Sequence, residues 1–132
     1  MTQNQKELLM SDLSARVPYG VKASTKVGGN ITISFIGEDT IISEDGGSYD
    51  ISFITPYLFP ISSITKEQRD EFPFELSLLN AFINGHISLF EDEELSVDDI
   101  IRMMDCLNRN HIDYRGLIPM GLADDATGKN IY

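Results

Sequence analysis

The hydrophobic positions of the first twenty residues follow a helical period. Apolar residues recur three and four positions apart between 8 and 17, which is the spacing of one helix face. Thr2, followed by Gln5 three residues later, has the sequence of a capping box. Pro18 and Gly20 are typical of a helix end. The pattern therefore predicts a helix over residues 2–15.

From residue 21 the period changes to two, with apolar and polar residues in alternation. Short turns rich in glycine and acidic residues separate the alternating runs, and the Gly28–Gly29 pair is typical of a hairpin turn. Ile31, Ile33 and Phe35 are predicted to share one buried face. Since short connections join antiparallel neighbours, residues 21–54 are predicted to form a four-stranded meander. The predicted strands are 21–27, 30–36, 40–43 and 49–53.

Residues 55–64 read TPYLFPISSI and contain two prolines. Proline lacks the N–H that a regular element needs, so this segment is predicted to pack on the core without helix or strand.

The second half of the chain returns to the helical period. Thr65 and Gln68 form a second capping-box sequence, and a further helix is predicted over 75–84, ended by Gly85. Ser96 is predicted to cap another helix, with Asp98 and Asp99 in its first turn. The apolar stripe of that helix is Val97, Ile100, Ile101, Met104 and Leu107. One helical turn over 114–118 and an irregular tail over 119–132 complete the prediction.

These elements predict an α+β fold in a single domain of residues 1–132. A four-stranded antiparallel meander packs against about three to four helices. A chain of this length buries enough surface to be stable without disulfides or a structural metal.

The charge of the chain limits the classes of partner. The net charge is −11, and most of the excess acid lies in the second half. Nucleic-acid binding needs clustered Lys and Arg, and an anionic membrane repels an acidic surface, so neither is expected as a direct partner. The single cysteine, Cys106, is predicted to be a buried thiol. We expect a cytoplasmic protein, since no secretory signal or membrane span is recognisable.

No familiar catalytic, cofactor or metal motif occurs, so no catalytic, cofactor-binding or metal-binding residue is predicted and no cofactor is expected. The densest acidic run, Glu91, Asp92, Glu93 and Glu94, lacks the alternate ligand spacing and central glycine of a calcium loop.

Several polar groups lie within five residues near the end of the chain: His111, Asp113, Tyr114 and Arg115. One hypothesis is that Asp113 orients His111 while Arg115 binds an anion. The favoured interpretation is structural, with Asp113 capping a turn and Arg115 pairing with acids.

Three segments carry a resemblance: ELLMSDLSARVPYGVK at 7–22, PYLFPISSITKEQ at 56–68 and LNRNHIDYRGLIPMGLADDATGKNIY at 107–132. Their PYGV, PYLxPxSSxT and DYRGLI elements resemble a family of small gut-bacterial proteins, found also in prophages and other mobile elements, for which no activity is known. Val17, Ile61 and Ile64 depart from the family pattern by apolar exchange. The resemblance implies a cytoplasmic protein of mobile-element background and assigns no ligand residue.

The resembling segments coincide with the junctions between predicted elements. If these junctions converge, Tyr19, Tyr57, Tyr114 and Arg115 form one exposed patch of residue types that anchor interfaces. The alternative is that junctions need proline, glycine and capping residues simply to fold.

The function predicted first is a small acidic, non-enzymatic interaction module that binds a protein with a basic surface. The oligomeric state is left open. One alternative is a DNA mimic or inhibitor of a nucleic-acid-binding protein, in which the acidic stretch 91–99 stands in for phosphates. Another is a small enzyme that uses His111, Asp113 and Arg115.

Overall fold

The structure, a computed structural model, describes residues 1–72 and 97–132, and this part of the chain is α+β, as predicted. The helices are α1 (Gln3–Arg16), α2 (Lys66–Glu71) and α3 (Val97–Arg109). The strands are β1 (Lys22–Thr25), β2 (Asn30–Ile36), β3 (Thr40–Ser43), β4 (Ser48–Asp50), β5 (Ile54–Leu58) and β6 (Asp124–Asp125). They form one mixed sheet in the order β4-β3-β2-β1-β5-β6, antiparallel except between β5 and β6.

Helix α1 starts with the capping box that the sequence predicts. The Thr2 hydroxyl accepts a hydrogen bond from the Gln5 backbone N–H, and the Gln5 side chain accepts one from the Thr2 N–H. Leu9 and Leu13 are fully buried against the inner face of the sheet. The loop after α3 adds Leu117 and Leu122 to this main core, so one face of the sheet is covered by α1 and by that loop.

The predicted four strands are present as β1–β4, but they belong to a mixed sheet of six strands, and both β1 and β4 are shorter than predicted. Strand β4 ends at Asp50, and Ile51–Phe53 form a 3-10 turn. The Asp50 carboxylate accepts hydrogen bonds from the backbone N–H and the hydroxyl of Ser52. This local bond offers the backbone an alternative to the strand, which is why the predicted strand over 49–53 is wrong in its second half.

The prediction of no regular element over 55–64 is also wrong, because residues 54–58 form β5 beside β1. The pairing places Ala23 opposite Pro56. In the same register the Lys26 N–H donates to the Phe53 carbonyl, so these two residues form a hydrogen-bonded pair. Hydrogen-bonded and non-hydrogen-bonded pairs alternate along an antiparallel ladder. The pair of Ala23 and Pro56 is therefore non-hydrogen-bonded, and the Pro56 nitrogen points away from β1. On its other side β6 pairs only with Tyr57 and Leu58. The proline therefore interrupts no hydrogen bond, and β6 itself lies in the tail predicted to be irregular.

A bulge in β2 reverses the predicted orientation of Phe35. The pairing of β2 with β3 shifts register between Ile33 and Phe35, so Ser34 is an extra residue. Ile33 remains buried, whereas Phe35 is 61% exposed and stands opposite Ile42. A one-residue shift moves every later side chain to the other face, which explains why the strict alternation predicted from the sequence fails here.

Helices α2 and α3 enclose a second, smaller core. Its members among residues 1–72 and 97–132 are Ile64, Phe72, Met103, Cys106, Leu107 and Ile112. The capping box of Thr65 and Gln68 is confirmed at the start of α2. The predicted stripe of α3 is wrong for Val97, Ile100 and Ile101, which are exposed; the buried face is displaced toward Met103 and Cys106.

The remaining predictions for the second half divide into two groups. The helix over 75–84, its end at Gly85 and the Ser96 cap lie outside the described residues. The predicted helical turn over 114–118 is displaced to 117–121, where the Leu122 N–H donates to the Leu117 carbonyl. Among the described helices none is long and apolar enough to cross a membrane.

Candidate functional site

The loop that follows α3 brings His111 into an unusual backbone conformation. His111 has a φ of 57°, in the left-handed region where glycine is preferred. The Ile112 N–H donates to the Leu107 carbonyl and the His111 N–H to the Asn108 carbonyl. These two bonds are those of a Schellman motif with histidine in the position usually held by glycine. The histidine therefore stays there at a backbone cost of about 1 kcal/mol.

The His111 ring is held between the core and Tyr132. The two ring centroids are 3.9 Å apart and the planes differ by 13°, so the rings are stacked. Burial lowers the pKa of His111 to about 4, the nearby Arg16 cation acts in the same direction, and a polar interaction with the Tyr19 backbone opposes both. His111 is consequently neutral at pH 7.

A buried ion pair on α1 lies beneath this loop. The Arg16 guanidinium donates through Nε to Asp12 Oδ2 at 2.8 Å and through Nη2 to Asp12 Oδ1 at 3.1 Å. The same Nη2 donates to the Ile112 carbonyl at 2.6 Å. Both side chains are completely buried. Arg16 therefore joins α1 to the loop after α3, and removing either charge would leave the other buried and unpaired.

A second arginine shares the Asp12 carboxylate. Arg115 Nε lies 3.2 Å from Asp12 Oδ1, yet its N–H has no hydrogen-bond geometry, so the contact is one of charge alone. The Tyr114 ring lies between the two arginines, with its centroid 5.1 Å from Arg16 Cζ and 5.2 Å from Arg115 Cζ. The predicted pairing of Arg115 with an acid is thus confirmed, and Asp12 is that acid.

Asp113 acts as the cap that the structural interpretation predicts. Its two carboxylate oxygens accept hydrogen bonds from the backbone N–H groups of Leu117 and Ile118, each at 2.9 Å. Asp113 and His111 are both more than nine-tenths buried. No hydrogen bond between these two side chains is present in the part of the chain that the structure describes. The arrangement supplies local structure and presents no oriented acid–base pair to solvent.

The junction segments do converge, but they do not form the predicted exposed patch. The Phe59 N–H donates to the His111 carbonyl, which joins the second segment to the third. Tyr57 is buried, with its hydroxyl donating to Asn30 Oδ1. Tyr19, Tyr114 and Arg115 are only partly exposed.

Beside these junctions lies a shallow groove with a volume of about 310 Å³. It is lined by Pro60, Ile61, Asp113, Tyr114, Gly116, Ile118 and Pro119.

A different surface combines the exposed Phe35 and the half-buried Ile42 with acidic residues. We call it the outer meander face: Phe35, Ile42, Thr40, Ser48 and Asp50, on the side of β2–β4 away from α1. Residues 27–65 contain five acidic residues and no Lys, Arg or His. All five are exposed: Glu38, Asp39, Glu44, Asp45 and Asp50. Hydroxyl and backbone donors of Ser43, Gly47 and Ser52 lower the pKa values of Asp45 and Asp50, so these carboxylates are ionised well below pH 7.

The other candidate residues, Cys106 and the metal-ligating residue types, form no catalytic or metal site within the described residues. Cys106 is buried, as predicted, with Sγ 3.4 Å from Glu71 Oε2. Burial and this carboxylate raise the pKa of its thiol, so Cys106 is not an activated nucleophile. Within residues 1–72 and 97–132 no cluster of metal-ligating side chains occurs. The acidic residues Glu91, Asp92, Glu93 and Glu94 lie outside the described residues.

Three residues of this site carry no prediction from the sequence: Asp12 and Arg16, which are fully buried, and Tyr132, which is 43% exposed. Asp12 and Arg16 are spaced i, i+4 within the helix beside the leucines, and that spacing was an available signal. Such pairs are usually solvated, however, and nothing in the sequence places this pair in the core. For Tyr132 the sequence offers no signal, because its contacts with Lys22, Tyr57 and His111 are distant along the chain.

Comparison of the chain with protein-family models, with curated proteins and with solved structures gave no match. The mobile-element resemblance therefore remains a prediction.

Proposed function

We propose that this protein is a small non-enzymatic interaction module that binds a partner protein with a basic surface through the outer meander face. The observation that carries the proposal is the exposed Phe35, set beside Ile42 within a stretch of chain that is acidic and contains no base. A bulge is needed to turn this ring outward, and bulges commonly re-aim side chains at functional surfaces.

The chemistry of this face favours a basic partner with an apolar residue at the contact. A partner that covers Phe35, which is 61% exposed, removes that apolar surface from water and so stabilises a complex by roughly 1–2 kcal/mol. The exposed carboxylates around it attract Lys and Arg and repel acidic proteins, which gives specificity and a fast encounter. The net charge of −11 acts in the same direction at longer range.

The buried cluster supports a non-enzymatic role. Asp113 uses both carboxylate oxygens on backbone N–H groups, and Asp12 is occupied by two arginines. A general acid or base must reach a substrate within hydrogen-bond distance. These groups are instead engaged inside the fold, so His111, Asp113 and Arg115 are assigned here to structure.

The proposal is tested by affinity capture with immobilised protein, using nuclease-treated lysate of the source cells and a salt series, read by mass spectrometry. Phe35→Ser and Glu38→Lys should each weaken retention of the captured protein at least about tenfold. Pro119→Ser is the matched control, because Pro119 is exposed in the groove on another part of the surface; it should retain the partner. Retention should fall as salt rises.

The site of binding is then mapped by adding the purified partner to isotope-labelled protein. Amide shifts concentrated in residues 32–50 are expected. Loss of binding in Pro119→Ser but not in Phe35→Ser would place the interaction in the groove and contradict the proposal. Failure to capture any protein at low salt would contradict it as well.

A further inference from the structure

The strands β1 and β5 part at one end, and a side chain fills the gap. Their register pairs Thr25 with Ile54, Ser24 with Thr55 and Ala23 with Pro56, so the next pair would be Lys22 and Tyr57. The Tyr132 hydroxyl lies between these two residues instead. It accepts a hydrogen bond from the Lys22 backbone N–H at 2.9 Å and donates one to the Tyr57 carbonyl at 2.8 Å. The phenol hydroxyl thus bridges the two strands at the position where the next backbone hydrogen bond between them would form.

The walls of this position suit a flat ring. His111 stacks on one side of the Tyr132 ring, and the Phe59 ring lies 5.9 Å from it, centroid to centroid, at a tilt of 48°. Stacked and tilted aromatic pairs contribute about 0.5–1.5 kcal/mol each beyond their buried area. We call this position the phenol slot: the Lys22 N–H, the Tyr57 carbonyl and the rings of His111 and Phe59.

Tyr132 is attached to the slot mainly through its side chain. The Ala126 N–H donates to the Leu58 carbonyl and the Lys129 N–H to the Ala126 carbonyl. Beyond Lys129, no backbone N–H donates to another group within the described ranges. Departure of the tyrosine ring would therefore break few backbone bonds.

Two polar atoms near the slot are buried and unpartnered while Tyr132 occupies it. His111 Nδ1 and Arg16 Nη1 lack a hydrogen-bond partner among the described residues, and both side chains are more than nine-tenths buried. Arg16 is close enough to influence the pKa values of both His111 and Tyr132. Unmet buried polar groups cost about 1–3 kcal/mol each. A free phenol brings the same ring and hydroxyl as Tyr132, so its binding depends on the hydroxyl contacts and the ring walls and not on these two atoms.

We propose that the phenol slot is a binding site for 4-alkylphenols, as a free phenol or as the tyrosine side chain of a partner, and that Tyr132 occupies it as a displaceable intramolecular ligand. The hydroxyl must both accept and donate, which distinguishes a phenol from a simple aromatic ring. This inference is independent of the outer meander face, since none of its residues belongs to that surface.

The test uses the full chain carrying Tyr132→Ala, with p-cresol as the free-phenol probe and N-acetyltyrosine amide as the peptide-like probe. We expect p-cresol to raise the thermal midpoint of this variant with saturation and to shift the Lys22 amide resonance. Toluene, which has no hydroxyl, and 4-methylanisole, which cannot donate, should bind at least about tenfold more weakly. Binding of p-cresol alone would indicate a small-molecule site, and binding of both probes a site open to a partner's tyrosine.

The native ring provides the matched control. Wild-type protein and Tyr132→Phe should bind p-cresol at least about tenfold more weakly than Tyr132→Ala, because both keep a ring in the slot. If Tyr132→Ala does not fold alone, recovery of folding with p-cresol but not with toluene is the expected result. Absence of binding or recovery, or shifts that map away from Lys22 and His111, would overturn the proposal.

Discussion

At the scale of single residues, the polar side chains after α3 are used for structure. Asp113 caps a turn with both oxygens, and His111 occupies a left-handed position under the Tyr132 ring. The sequence places these residues close together but does not show their burial. Because they are buried, His111 is neutral at pH 7 and both carboxylate oxygens of Asp113 are hydrogen-bonded inside the fold.

His111 gives the stability a pH dependence with a defined sign. Its pKa is about 4 in the folded protein and near 6.5 when exposed. Between these values the unfolded chain binds more protons than the folded protein, so the free energy of unfolding falls as the pH falls. This contribution, about 3 kcal/mol, is fully present above about pH 6.5 and lost below about pH 4.

Urea unfolding at about pH 7 and about pH 4.5 measures this effect. His111→Asn, which tolerates the left-handed conformation and does not titrate, should lose clearly less stability than wild type between the two pH values. Carboxylates titrate equally in both proteins and cancel in the comparison. Equal losses in the two proteins would contradict the assignment to His111.

At the scale of elements, the connections between distant segments stabilise the fold. Arg16 joins α1 to the loop after α3. Strand β5 pairs with β6, and Phe59, the residue after β5, pairs with Ile112 of that loop. Two hydrophobic clusters of described residues pack between these elements. The capping boxes at Thr2 and Thr65 are local, and the sequence predicted both. The links made by Arg16 and β5 span much of the chain, and neither was predicted.

Arg16→Met should destabilise the protein by about 3–5 kcal/mol, because it leaves the buried Asp12 charge with only Arg115 and removes the bond to the Ile112 carbonyl. Arg109→Met is the matched control, since Arg109 pairs with Glu71 at 3.3 Å on the exposed surface. Its expected cost is below about 1 kcal/mol. Urea unfolding compares the two variants, and similar losses would show that the buried pair has no special role.

At the scale of the whole molecule, a net charge of −11 opposes compactness. We expect the urea midpoint to rise as NaCl increases from about 10 mM to about 150 mM, since salt screens the repulsion between exposed carboxylates. The double variant Glu38→Gln, Glu44→Gln should show a smaller rise, because it removes two exposed charges of the meander. A midpoint independent of salt, or an equal rise in both proteins, would contradict this expectation.

Much of the fold class was predictable, whereas the arrangement of the candidate surfaces was not. The meander, α1 and the presence of α2 and α3 follow from hydrophobic period and capping residues, which are local signals. The sequence does not predict the fifth strand, because the edge that the Pro56 nitrogen faces depends on the pairing of this segment with β1. Phe35 was assigned to the wrong face because the Ser34 bulge depends on pairing with β3. The position of Pro56 in β5 and the outward direction of Phe35 both depend on pairing with a neighbouring strand. The sequence of one segment does not show which strand lies beside it.

The sequence by itself determined the α+β class, the starts of α1 and α2, the glycine turns and the acidic charge of the protein, because each depends on residues near one another in the chain or on composition alone. Only the tertiary structure decided that Asp12 and Arg16 are buried as a pair, that Phe35 points outward and that Tyr132 fills the end of the β1–β5 ladder. These features depend on contacts with other strands and loops, between residues that lie from 7 to 110 positions apart. Local propensity carries no information about such contacts, since they form only when the chain has folded.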